Sequence, residues 1–178
     1  NPLLTTINFI LMPPPDVQLL QTLYDGEVAS VDSELRALFT ELRQDHGGAL
    51  LRYYAYLYLA GIRPEELKRL SDREAELVNL RTGIITIPAN ISKTSHERQI
   101  LISKNLAEWL AVAPGPIIPP NSDRLSKQIR KQFNLTHDEA RHSFISYHVA
   151  LHRSVGDAAL QAGNSESIVK RHYLNTHT

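Results

Sequence analysis

Apolar residues recur at helical spacing over most of the chain and alternate at strand spacing in one central stretch. VDSELRALFTELRQD places Leu35, Leu38, Phe39 and Leu42 on one helical face. Asp32 or Ser33 is the expected N-cap, and Gly47 and Gly48 stop the helix. LLRYYAYLYLAG is apolar nearly all round, the pattern of a buried central helix. Its tyrosines, Tyr53, Tyr54, Tyr56 and Tyr58, are expected in core and interface positions rather than as nucleophiles. Gly61 ends that helix. Pro64 suits the first position of the next, where its missing N–H is no loss, and Glu65 and Glu66 favour that helix's N-terminal dipole. Arg63 falls in the tight link between the two.

From Glu76 to Ser103 the pattern turns to strand. AELVNL, RTG and IITIP predict a hairpin with Gly83 in its turn, NISKTSHE a polar turn, and RQILIS a further strand. Lys93 lies in the turn between the second and third strands. NLAEWLAVA predicts a short helix anchored by Trp109, APGPIIPP a proline-rich connection, and SDRLSKQIRKQF a basic helix capped by Ser122 or Asp123. LTHDEARHSFISYHVALHR predicts a helix with Asp138 near its start and Arg141 in its first turns. Phe144, Val149 and Leu151 contribute to its apolar side. GDAALQAG is a short helix ended by Gly163, Asn164 and Ser165 form a break, and SESIVKRHYL carries Tyr173. The fold class is mainly α with a small three-stranded antiparallel sheet, an α+β arrangement.

Pro13, Pro14 and Pro15 exclude helix interior, so the chain is expected to open with an extended lead-in. Asp16 can cap a short helix, DVQLLQTLYD. Residues 1–30 read as an N-terminal arm or linker and 31–178 as one domain. A length of 178 residues suffices for a domain that buries roughly 70% of its unfolded surface. No apolar run approaches the roughly 20 residues that span a bilayer, so no membrane partner is expected. LLTTINFILM lacks the basic leader and cleavage site of a signal peptide. The chain has no Cys, which removes disulfides and thiolate metal sites.

Net charge is zero, but it is unevenly placed. Residues 1–90 hold 8 Lys+Arg against 12 Asp+Glu, and residues 91–178 hold 11 against 7 together with seven of the eight His. Such an asymmetry gives a neutral protein one basic face, although chance clustering on solvated helices produces it as readily. Taken singly, the candidate residues are ambiguous. Arg63 suits a structural pair with Glu66 or another acid, and Lys93 suits plain solvation. Arg141, near a helix start, can combine its guanidinium with backbone N–H groups on one anion. Lys127, Arg130 and Lys131 are candidates for phosphate contact.

Four segments gain meaning from their order. GIRPEEL, then SKTS between two strands, then ARHSF, then KRHY resemble the motifs of the catalytic domain of the tyrosine recombinase (phage integrase) family, over roughly residues 30 to 178. The resemblance implies that Arg63 and Arg141 hold the scissile phosphate, that Lys93 protonates the leaving 5′-oxygen, and that Tyr173 is the nucleophile. The product of attack is a 3′-phosphotyrosine and a free 5′-hydroxyl. This chemistry explains the residue types: planar, permanently charged forks for the phosphoryl oxygens, a proton donor for an alkoxide, and a covalent intermediate that divides one hard step in two. No metal or other cofactor is required. The implied partners are double-stranded DNA and other recombinase subunits assembled on it, in a bacterial cytoplasm at the nucleoid.

The sequence departs from the family pattern at two places. The usual histidine three residues before the second arginine is Asp138, with His137 one residue earlier; on a helix His137 would share a face with Arg141. The usual His or Trp after the glycine of the break is Asn164, which can donate a hydrogen bond to a phosphate oxygen. His142 is common at its position in the family and counts among the DNA-facing candidates. The family's N-terminal DNA-clamping module has no counterpart here, and a fragment or truncated protein is the expectation. Two alternatives stand beside an active recombinase: a DNA-binding relative with disabled chemistry, and a helical domain in which Arg63, Arg141 and Tyr173 are unrelated.

Overall fold

Glycines and prolines punctuate the chain where the pattern places them. The computed structural model describes residues 27–174, with side chains from 35 to 170 except at 45 and 150. The proline-rich lead-in and the Asp16 helix lie outside the described residues. Helix α1 (Glu27–Gln44) begins earlier than expected and runs through the anticipated boundary at residue 30. Asp32 and Ser33 are therefore helix interior and not the cap. The intrinsic cost of each is only about 0.5 kcal/mol, too little to stop a helix that the flanking residues propagate. A 3₁₀ turn, Asp45–Gly48, ends α1 with His46 and Gly47 in left-handed backbone.

Helix α2 (Leu51–Ala60) is the centre of the fold. Its apolar circumference is explained by what surrounds it: α5 (Lys104–Val112) and α7 (Glu139–His152) pack against it, and α1 and α3 (Pro64–Ser71) touch it as well. All four of its tyrosines are buried, as expected. Gly61 closes α2 at φ 62°, and a Cβ there would sit 2.3 Å from the Phe144 ring of α7. Glycine is thus required twice, for the left-handed turn and for the close approach of α7.

A single helical turn, α4 (Glu74–Leu77), precedes the sheet of β1 (Val78–Asn79), β2 (Ile84–Ile87) and β3 (Arg98–Leu101), in that order and antiparallel. The first strand is shorter than AELVNL suggested. Asn79 accepts hydrogen bonds at Oδ1 from the N–H groups of Arg81 and Thr82, so the turn starts there. Opposite Ile85 lies Ile100, and opposite Ile87 lies Arg98. These four residues face inward.

Trp109 of α5 is 2% exposed, as its anchoring role requires. Helix α6 (Ser122–Gln132) starts after Asn121 at φ 62°, without a side-chain cap, so neither Ser122 nor Asp123 caps it. Two further helices, α8 (Val155–Ala162) and α9 (Glu166–Leu174), follow α7. Two apolar clusters result. The larger is built on α1, α2, α3, the sheet, α5 and α6, and the smaller on Phe144, Ile145, Ala158, Ala159, Ala162 and Val169 of α7 to α9. Val149 packs against the smaller cluster, but Leu151, expected on the apolar face, is 50% exposed near the end of α7. The arginine motifs lie at the seam between the clusters.

Candidate functional site

Arg63 is the N-cap residue just before α3, in extended backbone (ψ 145°), and forms a capping box with Glu66 in the first turn. Its Nη1 donates to Glu66 Oε1 at 3.2 Å. Its Nη2 donates to the Gly163 carbonyl at 2.9 Å and to Asn164 Oδ1 at 3.2 Å, a hundred residues away in sequence. Arg141, in the first turn of α7, donates from Nη1 to the Gly61 carbonyl at 2.9 Å and from Nη2 to Asn164 Oδ1 at 2.8 Å. The two arginines therefore converge on one oxygen. Two guanidinium donors fix the orientation of the Asn164 amide: its oxygen faces them, and its NH₂ is left to donate elsewhere.

Burial, reinforced by the charges of Arg63 and Arg98, lowers the Arg141 guanidinium from 12.5 to about 10. It stays charged at neutral pH, with two further guanidiniums near it. Arg98 was not singled out by its motif, yet it is 6% exposed. Its Nη2 meets Glu66 Oε2 at 2.6 Å, its Nη1 meets Oε1 at 3.2 Å, and its Nε donates to the Gln161 carbonyl at 3.0 Å. Glu66, 1% exposed, is the hub. It also accepts from the backbone N–H of Lys93 at 2.9 Å, which ties the hairpin turn to the arginines. Burial alone would raise the Glu66 carboxyl; the Arg98 bonds and the Lys93 N–H, with the charges of Arg98 and Arg63, outweigh it and hold the group at about 2. Three guanidiniums around one carboxylate leave a net positive site suited to an anion.

The other expected residues divide. Lys93 sits in the β2–β3 turn with an exposed side chain, anchored beside the arginines through its backbone. Tyr173 is on α9, and its side chain lies outside the described ones. His137 and Asp138 are not joined to the arginine pair by a hydrogen bond. Both are exposed, and His137 Nδ1 is 3.9 Å from Asp138 Oδ1. The expected i, i+4 relation of His137 to Arg141 fails because α7 begins at Glu139. Thr136 donates from its N–H to Glu139 Oε2 at 2.9 Å, and this local bond sets the turn that precedes the helix. Asp138 acts on Arg141 only through space, as a minor influence that favours the charged form. His142 is exposed on α7 beside Arg141.

Lys127, Arg130 and Lys131 are exposed along α6. Lys127, Arg130 and His137 line a groove of about 360 Å³ whose wall includes Pro64 and Ala140, the neighbours of Arg63 and Arg141. The groove is of mixed charge, because Glu65 and Asp123 also line it and pair with Lys68, and it adjoins the arginine pair only through Pro64 and Ala140. Tyr53 and Tyr54 also line it, and burial pushes the Tyr53 hydroxyl up to about 12 and raises Tyr54 as well. Among the described residues, no group of three His, Asp or Glu is placed to hold a metal ion. No family model matches the chain, and no curated protein or solved structure matches it, so the site is read from its own chemistry.

Proposed function

We propose that the chain is the catalytic domain of a DNA strand transferase of the tyrosine-recombinase type. The observation that carries this reading is the meeting of Arg63 and Arg141 on one oxygen, with the Lys93 turn bonded to the carboxylate that holds Arg63. An incoming phosphodiester would take over the N–H groups that Asn164 Oδ1 now occupies. The exchange is favourable because a charged acceptor binds a guanidinium roughly twice as strongly as a neutral one. The Tyr173 oxygen then attacks phosphorus as its hydroxyl gives up its proton to solvent, and the new O–P bond replaces the bond to the 5′-oxygen. Charge growing on the non-bridging oxygens is held by the two forks, and Lys93 gives its proton to the departing 5′-oxygen. Religation reverses the step and conserves the bond.

A second reading, a DNA-binding relative without chemistry, is favoured by one observation. Asn164 fills the arginine pair, and His137, the candidate for the usual histidine, is exposed and bonded to neither arginine. The two are separated by exposing the protein to nicked duplexes carrying a randomised region. Loss of the short fragment beyond the nick traps any phosphotyrosine, whatever its sequence preference. A denaturation-resistant protein–DNA adduct is expected from the natural chain and none from Tyr173→Phe. Salt-sensitive DNA binding without adduct from any duplex selects the second reading, and neither binding nor adduct removes both.

A further inference from the structure

The residue that aims the arginine acceptors is absent from every motif above. Gln161 lies in the last turn of α8 and is 4% exposed, an unusual degree of burial for glutamine. Each of its polar groups is engaged. Its carbonyl accepts from Arg98 Nε at 3.0 Å, and its Oε1 accepts from the N–H of Leu101 at 3.1 Å, on β3. Its Nε2 donates to Asp157 Oδ2 at 3.0 Å, one turn earlier on α8. The same carboxylate oxygen receives His148 Nε2 of α7. Burial, opposed by the hydrogen bond to Asp157, holds His148 below its ordinary value. Asp157 is also placed from its own backbone, whose N–H bonds the Ser154 hydroxyl at the start of α8.

Two and three residues beyond Gln161 come Gly163 and Asn164, the acceptors of Arg63 and Arg141. Gly163 turns at φ 65°, and a Cβ on it would meet the Arg98 side chain at 3.1 Å. The end of α8 is therefore held from two sides, by β3 and by α7, and one side chain joins the two holds. We infer that Gln161, braced by Asp157 and His148, is the positioning residue of the arginine pair: it fixes where Gly163 O and Asn164 Oδ1 stand, and so where both guanidiniums point. No hydrogen bond joins the Gln161 side chain to Arg63 or Arg141, so it acts through Asn164. The inference rests on the strand-transfer reading only for its catalytic consequence.

A donor–acceptor swap tests it. Gln161→Glu sets two carboxylate oxygens against each other, and adding Asp157→Asn restores a donor facing an acceptor, with the His148 ring free to change tautomer. Guanidinium NMR signals read the outcome without any substrate, because clamped arginines rotate slowly and give separate Nη–H signals while free ones average. The natural protein should show separate signals for Arg63 and Arg141, Gln161→Glu should average them, and the double variant should recover them. Asp157→Ala, at a half-exposed position that does not threaten folding, should weaken them in the same way. Unchanged Arg63 and Arg141 signals in Gln161→Glu and Asp157→Ala overturn the inference. Loss that the swap does not recover in a folded protein also overturns it, since that is the mark of general loosening.

On any duplex that the natural protein cleaves, Gln161→Glu should slow single-turnover cleavage about 100-fold, the order expected when a catalytic group is misplaced by about 1 Å, with DNA affinity unchanged. The double variant should regain the rate. A chain that cleaves no duplex refutes the strand-transfer reading, while the NMR comparison still decides the role of Gln161.

Discussion

Replacing Glu66 by alanine will destabilise the protein by roughly 3–5 kcal/mol, the range for breaking a buried ion pair from one side. The loss follows from what the carboxylate holds: both Nη groups of Arg98, one of Arg63, and the N–H of Lys93. Without it three guanidiniums face one another across the seam. Denaturant titration should show a lower midpoint with an unchanged slope. Replacing both partners, Glu66→Leu with Arg98→Met, should recover much of the loss, because no uncompensated charge then remains buried. The pH dependence has a definite sign. The folded carboxyl lies near 2, below its ordinary value of 4.5. Its contribution is therefore complete above about pH 4.5 and disappears as pH falls towards 2. It amounts to roughly 3 kcal/mol over that window. The Glu66→Ala protein should lack this component of acid sensitivity. A cost below about 1 kcal/mol, the ordinary size for a substitution, would mean that Glu66 is not the hub.

Arg141→Lys will slow strand cleavage by about 10²- to 10³-fold, the usual consequence of losing one preorganised donor to a developing oxyanion. The charge is kept, so the deficit isolates the fork. Arg141 uses Nη1 to hold the Gly61 carbonyl and Nη2 for the shared acceptor. A lysine has one nitrogen and cannot fix itself on Gly61 while presenting a second donor to phosphate. DNA binding should change little, because the phosphate still meets a cation. Single-turnover cleavage measured beside equilibrium binding separates the two effects. A lysine variant with near-natural cleavage would show that charge alone, not the two-pronged geometry, serves the site.

How much of this was legible depended on how local each feature is. Gly61, Pro64 and Gly163 mark helix ends through backbone constraints carried by single residues, and all three stand where the sequence places them. The convergence of Arg63 with Arg141 was expected from motif order and not from any property of either residue. Arg98 and Gln161 were missed because their burial depends on the docking of α8 against β3, which joins residues some sixty apart. One signal was present: Arg98 and Ile100 share a strand face, so an inward Ile100 implies an inward arginine that must find a partner. Glu66 was read as a helix-dipole residue and as a candidate partner of Arg63, and that pair is formed, but neither argument reached Arg98 or the Lys93 N–H. His137 was expected on α7, and the hydrogen bond of Thr136 to Glu139 starts the helix two residues too late for that.

Arg63 and Arg141 are expected to bind one oxyanion together. Crystals grown with tungstate test it most directly, because the anomalous signal locates a tetrahedral dianion independently of any DNA sequence. The expected result is a peak within hydrogen-bonding reach of both guanidiniums, with Asn164 Oδ1 displaced from between them. Tungstate bound along Lys127 and Arg130 but absent from the pair, with both arginines still donating to Asn164, would contradict it.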